Sequence, residues 1–174
     1  MRTLTLLRHA KSSWDEPRLA DVDRPLAPRG RKAAPLMGRH MRDIGLAPDL
    51  VLCSAAVRTR ETLALVLPEL GMPGVPVVYD ATIYEAEAAT LLARLERVAD
   101  SVQHLLVIGH NPGLQELALL LVGKSLGLEH RMLAEKLPTG GLVVLALDIE
   151  AWSRIAAGSA TITHLMTPRL LHDK

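Results

Sequence analysis

Short apolar runs alternate along this chain with stretches whose apolar positions recur at helical spacing. Residues 2–8, with Leu4, Leu6 and Leu7, read as a first strand. Residues 10–27 are polar, and Trp14, Pro17 and Pro25 break any regular period, so a loop is expected there. From Pro28 to Ile44 the positions Ala33, Ala34, Leu36, Met37, His40, Met41 and Ile44 fall on one helical face, and Gly45 is a natural stop. Residues 49–53 predict a second strand, and residues 54–58 turn into a helix that runs to about residue 70, where Gly71, Pro73 and Gly74 end it. A short strand over 75–79 and an amphipathic helix over 87–99 follow. Then come a strand over 104–108, a helix over 114–122 and an irregular stretch over 123–138. Strands over 142–147 and 161–166 close the pattern, with a short helix around 150–157 between them and a tight turn at Thr139-Gly140-Gly141.

Uninterrupted apolar strands are the mark of a parallel sheet covered on both faces, and alternation with helices is the mark of an α/β architecture. The expectation is one domain over residues 1–174, with the first, second and fourth strands as parallel neighbours near the centre. At 174 residues the chain can bury one core and is short for two.

Composition narrows the function classes. Two Trp, two Tyr and no Phe leave too few rings for a platform that stacks single-stranded nucleic acid. The one cysteine, Cys53, rules out an internal disulfide and a cysteine-rich zinc module, and it reads as a small buried residue. No apolar stretch reaches the roughly 18 residues that a membrane span requires, and no basic-then-apolar leader opens the chain. A cytoplasmic location without membrane partners is the default expectation. Net charge is +1, but unevenly spread: residues 1–60 hold 12 Lys and Arg against 6 Asp and Glu, and the remainder hold 8 against 13. That asymmetry suits a small anion or an acidic protein face, while the scattered basic residues argue against nucleic acid.

Two histidines stand where apolar strands run out, His9 after Leu6-Leu7-Arg8 and His110 after Val107-Ile108-Gly109. Ligands of open α/β sheets bind beyond the carboxyl ends of the strands. Arg8 beside His9 pairs a nitrogen nucleophile with a planar cation able to fork two phosphate oxygens. Arg58 sits near the start of the second helix, where the helix terminus itself favours an anion. These four residues predict a site for phosphoryl transfer, with much of the transferred charge offset by preorganised donors. Guanidinium groups around the imidazoles disfavour a metal ion, and no cofactor is expected. His40, His104, His130, His164 and His172 read as structural or surface residues.

The combination resembles the histidine phosphatase superfamily. Leu7-Arg8-His9-Ala10-Lys11-Ser12 is similar to its RHG/RHA motif, and the segment from Ser54 through Arg58 to Thr62 to its SPxxRxxxT motif. Ile108-Gly109-His110-Asn111-Pro112 resembles its second-histidine motif, and Asp23-Arg24-Pro25-Leu26 with Gly30 the RPLTxxG stretch of the small SixA-like phosphohistidine phosphatases. The four motifs occur in family order between residue 2 and about residue 148. Ala55 stands where the family usually has proline, and Ala10 replaces glycine, a common variant of the small branch.

The resemblance implies a phosphoglycerate mutase-like, three-layer α/β/α sandwich with a mostly parallel sheet. It implies His9 as the phosphorylated nucleophile, and Arg8, Arg58 and His110 as the phosphate pocket. Glu85 is the positional candidate for a general acid, with Asp21 or Asp23 as alternatives. The expected activity is metal-independent hydrolysis of phosphohistidine on a protein, such as a phosphorelay component. A phosphatase or mutase acting on a small phosphate ester and a non-catalytic phosphate-binding module are the alternatives.

Overall fold

The computed structural model describes residues 1–172. Six strands form one sheet in the order β3-β2-β4-β1-β5-β6. They are β1 (Arg2–Arg8), β2 (Leu50–Ser54), β3 (Val77–Asp80), β4 (His104–Gly109), β5 (Leu142–Leu147) and β6 (Ala160–Met166). β1 pairs in parallel with β4, β4 with β2, and β2 with β3, while β5 runs antiparallel to both β1 and β6. The first, second and fourth strands are therefore the parallel neighbours that the apolar runs imply.

Because alternate side chains leave a strand on opposite faces, the apolar residues of these strands feed two cores. Leu52, Leu105, Val107 and Val143 point to one. Val51, Cys53, Leu106 and Ile108 point to the other. Helices α1 (Pro28–Asp43) and α2 (Val57–Leu70) close the second core, through Met37, Met41, Leu63 and Val66. The first is closed by α3 (Ala88–Leu95), α4 (Gly113–Val122) and α5 (Leu128–Glu135), with Leu91, Leu117 and Leu133 buried against it. A last helix, α6 (Pro168–His172), lies against α1. None of the described helices is long and apolar enough to cross a membrane.

Four local expectations differ from the structure. Residues 123–138 contain helix α5, whose eight residues bury only Leu133, too few to produce a visible period. The helix expected over 87–99 ends at Leu95, and the strand expected over 75–79 occupies Val77–Asp80. The short helix around 150–157 shrinks to one 3-10 turn, Trp152–Arg154, pinned by the buried Trp152, whose indole N–H donates to the Val102 carbonyl at 2.8 Å.

Candidate active site

Sheet register brings the two strand-end histidines together. Arg8 is the partner of Gly109 across the β1–β4 ladder, so His9 and His110 leave adjacent strands side by side. Their ring centroids are 5.3 Å apart, and both are almost fully buried. β2 pairs with the other edge of β4 and ends at Ser54, whose hydroxyl lies 2.7 Å from Nε2 of His110. In the first turn of α2, Arg58 is buried at 4% exposure. The site thus sits at the carboxyl end of the sheet, where three neighbouring parallel strands deliver it.

Local bonds hold each element. The Ala10 amide donates to the Thr62 hydroxyl at 3.0 Å, and that hydroxyl donates to the Arg58 carbonyl at 2.7 Å, tying the loop after β1 to the first turns of α2. The Gly140 amide donates to the carbonyls of Arg8 and His9, so the turn at 139–141 braces the end of β1.

Nδ1 of His9 is 2.7 Å from the Ala10 carbonyl oxygen. A carbonyl only accepts, so Nδ1 carries the proton and the neutral ring keeps its lone pair on Nε2. Burial, with the cationic Arg58, Arg8 and Arg24 nearby, lowers the His9 pKa to about 4, although the Ala10 carbonyl pulls the other way. Burial and then the neighbouring His9 and Arg58 lower that of His110 to about 3. Both imidazoles are therefore uncharged at neutral pH.

Nε of Arg8 and Nδ1 of His110 are buried without a hydrogen-bond partner among the described residues. Buried polar atoms are seldom left so, and a bound anion would satisfy both. Arg8 uses another nitrogen to reach the Leu137 carbonyl at 3.0 Å.

A second layer appears that the motifs did not disclose. Arg58 donates to the Asp21 carbonyl at 2.7 Å and to the Asp21 carboxylate at 3.0 Å. Arg24 donates to the other carboxylate oxygen at 3.0 Å, and the Tyr84 hydroxyl donates to the first. The Tyr84 bond, with Arg24 and Arg58 behind it, holds the Asp21 carboxyl well below the usual carboxylate range. Asp21 is then an acceptor rather than a proton donor. Tyr84 also sets its ring edge-on against His110, with centroids 5.4 Å apart at 87°. Its one sequence signal was its place beside Glu85.

Glu85 holds a left-handed backbone (φ 50°) that places its exposed carboxylate 3.7 Å from Arg58. Asp23 is exposed on the same 3-10 turn as Asp21 and enters none of these bonds. The structure thus groups Arg8, His9, Arg58 and His110, with Glu85 at the rim. Among the described residues, no three His, Cys, Asp or Glu side chains assemble as a metal-binding group.

Comparison with known proteins identifies the family. An uncharacterized protein of Mycobacterium tuberculosis, Rv1276c, is 39% identical over 166 residues, which is 94% of this chain and 100% of that one. The solved structure of a candidate phosphohistidine phosphatase SixA from Nakamurella multipartitia superposes with a TM-score of 0.83 at 30% identity, covering 96% of each chain. A 2,3-bisphosphoglycerate-dependent phosphoglycerate mutase of Beijerinckia indica is 36% identical over 92 residues, 52% of this chain and 44% of that protein. The family model of branch 1 of the histidine phosphatase superfamily matches residues 4–101. This chain, with its paired strand-end histidines and buried arginines, belongs to the histidine phosphatase superfamily.

Proposed function

We propose that this protein is a metal-independent phosphatase that removes phosphate from histidine on a partner protein, passing it through a covalent phosphohistidine at His9. The observation that carries this reading is the state of His9: its proton is committed to the Ala10 carbonyl, so a neutral Nε2 stands free among cations. Nε2 attacks phosphorus as the P–N bond to the substrate imidazole breaks, and that imidazole, already protonated on its other ring nitrogen, takes the bonding pair and leaves neutral. Water then attacks the phosphoryl group on His9, releasing inorganic phosphate and restoring the free ring. Arg8, Arg58 and His110 hold the phosphoryl oxygens, with Nε of Arg8 and Nδ1 of His110 as donors that no other group among the described residues engages.

Two features favour a protein substrate. Among the described residues, the loop after β1 and the turn after β3 carry only the single turns Asp21–Asp23 and Ala81–Ile83, so neither brings a helical cap over the mouth. A protonated imidazole leaves without an acid, which suits a rim carboxylate as exposed as Glu85. A histidine-phosphorylated phosphorelay protein has the chemistry required. A second reading, a small phosphate ester, is favoured by Glu85 itself, because an alkoxide leaving group needs a donor placed as this one is.

Turnover of a phosphohistidine peptide, phosphoserine peptides and small phosphate esters, compared as kcat/KM, tests the assignment. The proposal requires the phosphohistidine peptide to lead. Preference for a small ester by tenfold or more reverses the substrate assignment, and binding without turnover leaves a phosphate-recognition module.

A further inference from the structure

The geometry points to Asp21 and Tyr84 as a clamp that positions Arg58 for the transferring phosphoryl group, so that both are positioning residues of the reaction although neither reaches phosphorus. This rests on the phosphoryl-transfer reading of the site and adds the device that sets its principal cation.

Arg58 is delivered by α2, but its head group is held from a different segment. Asp21 takes one terminal nitrogen with its carbonyl at 2.7 Å and the other with its carboxylate at 3.0 Å. Two bonds to two nitrogens of a planar fork fix the guanidinium in direction as well as in place. The clamp is itself fixed. Arg24 holds the free carboxylate oxygen, and is anchored in turn on the Ser12 hydroxyl at 2.7 Å and the Ser13 carbonyl at 2.9 Å. The guanidinium carbon of Arg24 also lies over the Trp14 ring, 3.2 Å from its centroid.

Tyr84 arrives from the far side, on the turn after β3. Its hydroxyl closes on the Asp21 oxygen that Arg58 uses, its ring face lies 5.7 Å from the Arg58 guanidinium, and its edge meets His110. One phenol therefore touches the carboxylate, the arginine and the second histidine. Asp21 is 40% exposed at its side chain, while Arg58 is 5% exposed, so a surface carboxylate sets a buried cation. Exposed carboxylates on loops normally point to water; this one is drawn inward by three donors on three segments.

Loss of the clamp leaves Arg58 charged and nearby but free to turn. A displacement of about 1 Å at such a group costs up to about a hundredfold in rate. Tyr84→Phe keeps the ring and removes only the bond to Asp21; Asp21→Asn keeps the shape and removes the charge. Each should lower kcat by roughly tenfold or more with KM within about threefold. Because both act through one guanidinium, the double variant should lose no more than about threefold beyond the worse single.

The deciding measurement repeats both substitutions in an Arg58→Ala background, reading kcat on whichever phosphate compound the wild type turns over. Vanadate affinity is measured in parallel. With Arg58 absent the clamp has nothing to hold, and either substitution should cost less than about threefold in both readouts. An undiminished loss in that background overturns the proposal, as does a loss confined to KM or no loss in the single variants. If the wild type turns over no phosphate compound, the phosphatase reading fails while the vanadate arm still tests the clamp. Should Asp21→Asn unfold, Tyr84→Phe alone completes the cycle.

Discussion

At the residue scale, the proposed roles of Arg58 and Glu85 can be separated by substitution. Arg58→Ala should lower turnover on the order of 10²–10³, the usual cost of removing one preorganised stabiliser. Arg58→Lys should recover only part of it, because an ammonium cannot fork two oxygens and cannot take both Asp21 contacts. Near-normal kcat in Arg58→Ala would place the side chain outside the pocket. Glu85→Gln should slow an alkyl phosphate, whose alkoxide leaving group needs a proton, and spare an aryl phosphate. Equal slowing of both substrates would make Glu85 a partner of Arg58 rather than a donor.

The two low histidine pKa values give a pH signature. His9 stays neutral until about pH 4. Once corrected for ionisation of the substrate, kcat/KM should therefore hold from neutrality down to about pH 5, well below the ordinary imidazole range. An acid limb at pH 6–7 would contradict the buried, cation-flanked ring. Stability should follow the same groups. In the unfolded chain both rings take up protons below about pH 6.5, whereas the folded protein resists until about pH 4 for His9 and about pH 3 for His110. The unfolded state binds more protons in that window, so stability is complete above it and falls as pH drops through it. His9 alone accounts for about 3 kcal/mol of that loss, read by denaturant unfolding at stepped pH.

Among elements, the contact between α4 and the turn after β3 is a sensitive one. A Cβ on Gly113 would lie 2.0 Å from the Ala86 carbonyl oxygen, and backbone cannot yield as a side-chain end can. Gly113→Ala would gain up to about 1 kcal/mol in helix propensity, but overpacking typically costs about 1–3 kcal/mol, so net destabilisation is expected. The turn it displaces carries Tyr84 and Glu85, so kcat should fall as well. Full stability with unchanged kcat would show that the turn moves freely.

Elements also explain what could be read in advance. β1, β2 and β4 were legible because each is buried on both faces and carries a cluster of apolar residues, Leu4, Leu6 and Leu7 in β1 and nearly every position in β2 and β4. His9 and His110 were legible because polar residues interrupt those runs at their ends. α5 was hidden because one buried leucine makes no period. The Asp21 clamp was hidden for another reason: the segments of Asp21, Arg58 and Tyr84 are joined only by the sheet order, which no local pattern encodes. The resemblance thus offered Asp21, like Asp23, only as an alternative to Glu85 for the proton donor, and the three donors around Asp21 in space cast it as an acceptor.

For the whole molecule, the sheet acts as a convergence device. Parallel pairing of β2, β4 and β1 directs three carboxyl ends to one point, and two cores below hold them there. The antiparallel β5 continues the sheet past β1, and the turn that enters it braces Arg8 and His9. Everything in this account depends on Nε2 of His9 becoming bonded to phosphorus. The direct measurement is rapid quenching during turnover of a phosphate-labelled substrate, followed by mapping of the label. The account predicts one acid-labile, alkali-stable phosphoryl group on His9, absent in His9→Ala although that variant remains folded. Label on Ser12, Ser13 or Cys53, or undiminished turnover by His9→Ala, would contradict it.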